Sequence, residues 1–175
     1  MGIGKIKGVR IDGVSACVPK LEIDNLEFGK VLYGDDVIGL IRTTGVEKRR
    51  VSLENEVTAL DLSVYAAEKL INYGHYDRGD FSGLIFVTQS PDNLLPNNST
   101  YCQELLQLPT EIAAFDINIA CSGYPYGLLA AGSLANSTGK SVLLLDGDTH
   151  SHFVSPNDKV TALLFGDAGT ATVVS

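Results

Sequence analysis

Residues 115–129, FDINIACSGYPYGLL, join two different hydrophobic periods at a single cysteine. Phe115, Ile117 and Ile119 alternate as strand formers do, whereas residues 126–135 are rich in Leu and Ala, with turn residues only before and after them. The chain therefore turns from strand into helix around Cys121, Ser122 and Gly123. A thiol at such a junction points out of the carboxyl end of a strand and lies over the first free N–H groups of a helix. The partial positive charge there favours thiolate over thiol and makes Cys121 a nucleophile at neutral pH. Gly123 removes a side chain where a substrate backbone could approach, and the N–H groups of the turn could hold a developing oxyanion. The rival reading is a small buried hydrophobe, which is what free cysteine usually is.

The remaining chain repeats the alternation of strand and helix. Residues 6–18 alternate with β character and end at Pro19. Residues 21–32 read as a helix with Asn25 as a candidate cap and Leu26, Phe28, Val31 and Leu32 as a mixed apolar face. Over residues 33–50 the pattern weakens, Gly45 marks a turn, and the cations Arg42, Lys48, Arg49 and Arg50 gather. Residues 57–73 form an amphipathic helix carrying Leu60, Val64, Ala67 and Leu70 at helical spacing, with Gly74 as its stop. Residues 84–88 are a short buried strand, 90–98 a loop, 100–108 a helix ended by Pro109, and 141–145 another apolar strand. Strands alternating with helices predict a mostly parallel sheet covered on both faces, with ligands at the strands' carboxyl ends. The last strand is followed by no covering helix, which predicts a half-length or truncated chain.

A chain of 175 residues makes one sizeable domain or half of a larger one. Its formal net charge of −8 argues against generic binding to nucleic acid or anionic membranes. No apolar stretch is long enough to span a bilayer, MGIGKI lacks the features of a signal peptide, and Ile6 stands where a myristoylation signal needs Ser or Thr. Three cysteines without CxxC spacing give neither a disulfide framework nor a zinc site, so a reduced, cytoplasmic setting is expected. Cys17 and Cys102 read as inert core residues.

Other motifs carry less. His150 and His152 would share one side of an extended segment with no third ligand, so surface histidines are favoured over a metal pair, and no metal site is expected. His75 reads as solvated in a post-helix turn. GDAGTA and DGD lack the spacing of phosphate cradles, and their glycines are assigned to tight turns. The basic patch is either a solvated face or a docking site for something anionic. Cys121 has no evident general base; a thiolate can take an acyl group from a thioester without one, but a later carbon–carbon step needs further donors.

Four segments in colinear order carry a family likeness. FDINIACSGYPYGLLAAGSL resembles the active-site cysteine segment of the β-ketoacyl-[acyl-carrier-protein] synthase III family, and RTTGVEKRR resembles that family's basic turn. SPNDK followed by LLFGDAGTATVV, and TQSPDNLLPNNSTYCQELL, are similar to two more of its stretches. The resemblance implies a thiolase-like fold of two duplicated βαβαβ halves, with residues 1–175 matching the first. It implies that Cys121 is acylated by acyl-CoA or acyl-carrier protein and condenses its acyl group with malonyl-carrier protein. The family's assisting histidine and asparagine lie in the second half, so His150 and His152 are not substituted for them. No covalently bound cofactor is implied, the CoA or phosphopantetheine thioester being a substrate, and a homodimer is.

Residue by residue, Leu95 falls where the family places a side chain that limits acyl-chain length across the dimer. The family's adenine-stacking tryptophan aligns with Gly39, the arginine beside it with Thr43, and a phosphate-contacting arginine with Lys159, which keeps charge without bidentate geometry. Arg42, Lys48, Arg49 and Arg50 are candidates for meeting the donor or its acidic carrier. These departures fit an acyl-carrier-protein donor or a specialised pathway as well as initiation of fatty-acid synthesis. The alternatives are another thiolase-fold condensing enzyme, such as a polyketide or hydroxymethylglutaryl-CoA-synthase type, and a non-catalytic dimerisation module.

Overall fold

A computed structural model describes residues 5–52 and 57–175. In chain order the elements are β1 (Ile11–Cys17), β2 (Leu21–Asp24), α1 (Asn25–Tyr33), α2 (Val37–Thr44), β3 (Lys48–Val51), α3 (Ala59–Gly74), β4 (Phe81–Val87), α4 (Asn98–Leu105), β5 (Ala113–Ile117), α5 (Gly123–Thr138), β6 (Ser141–Asp148) and β7 (Ala168–Val174). Residues 1–4, the start of the segment read for targeting signals, lie outside the described residues. Among the described residues no helix is long and apolar enough to cross a membrane.

Five strands form one sheet in the order β1-β7-β6-β4-β5, and β2 pairs with β3 alone. β4 is parallel to both β5 and β6, while β7 is antiparallel to β6 and to β1. Four strands thus run one way and β7 runs against them, the mostly parallel mixed sheet that the alternating pattern predicts. Val87 lies opposite Ile117 on one side and Asp146 on the other, so β4, β5 and β6 present their carboxyl ends together.

Helices cover both faces. α3 packs Ala66, Ala67, Leu70 and Ile71 on Leu143, Leu145, Ala171 and Val173. On the other face α5 sets Ala131 and Ala135 over Ile85, Val142, Leu144 and Val174. The unbroken run Val142 to Leu145 is fully buried because the strand has a helix on each side. Burial of such side chains contributes on the order of 1.5–3 kcal/mol each, which makes this layering the main source of stability.

Four local expectations are corrected. The helix expected over 21–32 is split, because residues 21–24 pair as β2 with β3, and the helix begins only at Asn25. Asp24, not Asn25, caps it by accepting from the N–H groups of Leu26 and Glu27. Asn25 is fully buried instead, donating to the carbonyls of Val46 and Leu163 and accepting from Arg49 Nε. The weakly patterned stretch after residue 33 contains α2, which ends at the left-handed Gly45. At the end of α3 the left-handed position is taken by His75, with Gly74 in the last turn under the ring of Tyr76.

Candidate active site

Cys121 sits in a one-turn helix, Ala120–Ser122, between β5 and the first residue of α5. Several bonds hold this turn. The Thr88 N–H donates to Ile117 O at 3.1 Å, Ser122 Oγ donates to Ile119 O at 2.9 Å, and the Gly123 N–H donates to Ala120 O. Ala120 is forced to φ 53°, a left-handed conformation that costs a residue with a β-carbon about 1–2 kcal/mol. The surroundings therefore over-determine the turn from which the thiol projects. Cys121 is the exposed cysteine; Cys102 is buried, Cys17 is half-buried, and burial pushes both of those thiols up.

Gly123 does not make room for a substrate backbone, as its position predicts. It is buried, and a β-carbon there would run into Val87. Gly127, one turn on, is packed likewise, with Leu144 Cδ1 at 2.8 Å from where its β-carbon would stand. The two glycines let α5 lie directly on β4 and β6, and that close approach fixes where the helix starts.

Two carboxylates invisible to local patterning organise the surrounding loops. Asp116 on β5 accepts from the N–H groups of Asn98 and Ser99 at 2.9 and 2.8 Å, so the start of α4 is capped from the neighbouring strand. Asp148 at the end of β6 accepts at one oxygen from Thr88 Oγ1, Gln89 N, Ser90 N and Ser90 Oγ. It lines an open concavity of about 480 Å³ with Tyr124, Asp146, His150 and Thr172. Asp146 is pushed up to about 6, first by burial and then by the charge of Asp148. His150 and His152 lie in a short helical turn, not an extended segment, and the His150 ring stacks on Phe165 at 4.7 Å. Among the described residues no group of three side chains could hold a metal ion.

The remaining predicted residues fall in different places. Arg42 is exposed on α2, and Thr43 Oγ1 donates to Gly39 O at 2.9 Å. A β-carbon at Gly39 would meet open space. Lys159 is exposed, and its carbonyl accepts from the Tyr33 hydroxyl, which brings Lys159 beside the junction of α1 and α2. Leu95 stands separately, 88% exposed in the loop between β4 and α4. Lys48 and Arg50 both pair with Glu22 across the antiparallel β2–β3 pair. Arg49 donates to Asn25 and to Phe165 O and lies 5.4 Å over the Phe28 ring. These three cations are engaged within the fold, Arg49 most deeply.

FGDAG is a clamp where a turn is expected. Asp167, 2% exposed, accepts from Ser52 N at 2.7 Å and from Ser151 N at 3.0 Å, joining the end of β3 to the turn after β6.

This layered sheet, with an exposed cysteine between a strand end and a helix start, is a thiolase-like fold. A synthase of the 3-oxoacyl-(acyl-carrier protein) type from Burkholderia xenovorans superposes with a TM-score of 0.92 and 38% identity, over 97% of this chain and 49% of that one. The family model described as 3-oxoacyl-[acyl-carrier-protein (ACP)] synthase III matches residues 115–175. A β-ketoacyl-[acyl-carrier-protein] synthase III from Clostridioides difficile is 35% identical, over 93% of this chain and 49% of its own length. One from Chlamydia caviae is 32% identical, over 99% and 51%. The chain is thus similar to 3-oxoacyl-[acyl-carrier-protein] synthases III along nearly its whole length and spans about half the length of the curated relatives it matches.

Proposed function

We propose that this chain is the N-terminal half of an acyltransferase of the 3-oxoacyl-[acyl-carrier-protein] synthase III type, with Cys121 as the acyl acceptor. The observation that carries the reading is the exposed sulfur at the over-determined turn between β5 and α5. The Sγ thiolate attacks the carbonyl carbon of an acyl thioester. A new carbon–sulfur bond forms, the bond to the carrier sulfur breaks, and the carrier leaves as a thiol with the proton Cys121 gave up. Backbone N–H groups of the same turn hold the transient oxyanion. Condensation with malonyl-carrier protein, with loss of carbon dioxide, needs donors from a second half, so residues 1–175 alone load the acyl group without completing the reaction.

The donor is an acyl-CoA or acyl-carrier protein whose phosphopantetheine arm passes the rim formed by Arg42, Thr43 and Lys159, and Leu95 limits the acyl chain. Lys48, Arg49 and Arg50 act through the fold of that rim. Tyr126 and Leu129 on the outer side of α5 are exposed, as befits a helix that a second half covers. β5 ends the sheet with Ala113 and Phe115 exposed, and antiparallel pairing of two β5 edges about a two-fold axis makes the homodimer. An acidic chain with an accessible reduced thiol suits the cytoplasm.

The test is intact-mass measurement after incubating the full-length protein with labelled acyl-CoA or acyl-carrier protein. Acyl mass should appear on the peptide containing Cys121 and be absent in Cys121→Ser. Loading elsewhere, or none with either donor, overturns the reading.

A further inference from the structure

Residues 88–97 leave the end of β4 and enter α4, carrying Leu94 and Leu95 with 87% and 88% exposure. The segment bearing them is tied down from three sides. At its start one oxygen of Asp148 accepts from Gln89 N at 2.6 Å and from Thr88 Oγ1, Ser90 N and Ser90 Oγ at 3.1 Å each. Midway Asp92 accepts from Thr58 Oγ1 at 3.0 Å and donates its N–H to Asn98 Oδ1 at 3.2 Å. At its end Asp116 caps α4.

The first tie also reaches the nucleophile. Thr88, whose hydroxyl Asp148 holds, donates its N–H to Ile117 O, four residues before Cys121. A carboxylate on β6 therefore sets two things together: the direction in which the Leu94–Leu95 segment leaves the sheet, and the strand end from which Cys121 projects. Bonds to an ionised acceptor are about twice as strong as neutral ones, so no neutral residue at 148 would hold residues 88–90 as tightly.

We propose that Asp148 is a positioning residue that sets which acyl-chain lengths Cys121 accepts, acting through residues 88–90 without touching the reacting atoms. The proposal rests on the reading of Cys121 as acyl acceptor and of Leu95 as the limit on the acyl chain. Asp148→Ala removes all four bonds; Asp148→Asn keeps an acceptor oxygen and the shape and loses the charge. Ser90→Ala removes only the bonds made by the Ser90 hydroxyl, including the one it accepts from Thr149 N at 2.9 Å.

The test measures, in the full-length protein, the rates at which acetyl-CoA and octanoyl-CoA acylate Cys121, followed by intact mass. The readout is the ratio of the two rates, because general loss of folded protein scales both equally. Asp148→Ala should move the ratio by about tenfold, the low end of what a methylene-sized misfit costs a closely fitting pocket, with Asp148→Asn falling between it and the unaltered protein. Iodoacetamide alkylation of Cys121 should change by no more than about twofold, since the thiol stays exposed. A folded Asp148→Ala protein with an unaltered ratio overturns the proposal. Should circular dichroism show that variant unfolded, the ratio in Ser90→Ala decides by the same criterion. Where the unaltered protein does not take acyl groups from CoA, the same two acyl groups are offered on acyl-carrier protein; a protein that loads from neither carrier overturns the acyl-acceptor reading and the proposal with it, whereas an unchanged ratio in a protein that loads both acyl groups overturns only the role of Asp148.

Discussion

The backbone of Gly123 lies against the side chain of Val87 with no space between them for a β-carbon. The first turn of α5 and the end of β4 are thereby brought together, and the turn of Cys121 hangs from that contact. Gly123→Ala should force α5 off the sheet and destabilise the protein by about 1–3 kcal/mol, the usual cost of overpacking a core. Thermal unfolding measures the loss. The same variant should slow thioester loading of Cys121, whereas a melting temperature equal to that of the unaltered protein would show that the helix start has slack.

The three thiols should separate cleanly by reactivity. In native protein at neutral pH, limiting iodoacetamide should label Cys121 first, because Cys102 is buried, Cys17 is half-buried, and burial raises the pKa of both. In denaturant the three should react at similar rates. Peptide mapping by mass spectrometry reads this directly, and equal native labelling of Cys17 and Cys121 would contradict the geometry.

The three cations of β3 should divide into one structural cation, Arg49, and two peripheral ones. Asn25→Ala leaves Arg49 Nε and the carbonyls of Val46 and Leu163 without their partner, which should cost about 2–3 kcal/mol in denaturant unfolding. Arg49→Ala should destabilise in the same direction through its lost bonds to Asn25 and Phe165 O. Lys48→Ala should leave the melting temperature nearly unchanged, because its ion pair with Glu22 is exposed. A larger loss for Lys48→Ala than for Arg49→Ala would reverse the assignment.

Asp146 makes stability depend on pH in a definite direction. Its folded pKa is pushed up to about 6 from 3.8 by burial and then by Asp148, so between those values the folded chain holds a proton that the unfolded chain has released. This site's contribution to stability therefore falls as pH rises from about 4 to about 6, and stays at its lower value above that. Asp146→Asn, which cannot ionise, should raise the melting temperature of the 175-residue chain at pH 7 and lose that advantage near pH 4. A pH-independent difference between the two proteins would assign the effect to packing.

Much of this protein is determined within short stretches of its sequence. The alternation of Phe115 and Ile117, the Leu- and Ala-rich run after Cys121, and the spacing of Leu60, Val64, Ala67 and Leu70 each reflect the period of one element that forms there, although β5 ends at Ile117 and leaves Ile119, the last alternating residue, outside the strand. The position of Cys121 between strand and helix follows from two adjacent patterns and needed no knowledge of the rest of the chain. What tertiary structure alone decided involves partners far apart in sequence. Asn25 reads as a cap until Leu163 arrives to accept its amide, and Gly123 reads as an opening until Val87 closes on it. FGDAG reads as a turn until Ser52 and Ser151 donate to Asp167. Asp148 gathers residues about sixty positions earlier only because β6 lies beside β4. Periodicity records which side of an element is apolar, but the partner of a polar group depends on which strand ends lie side by side, and that is set when the sheet assembles.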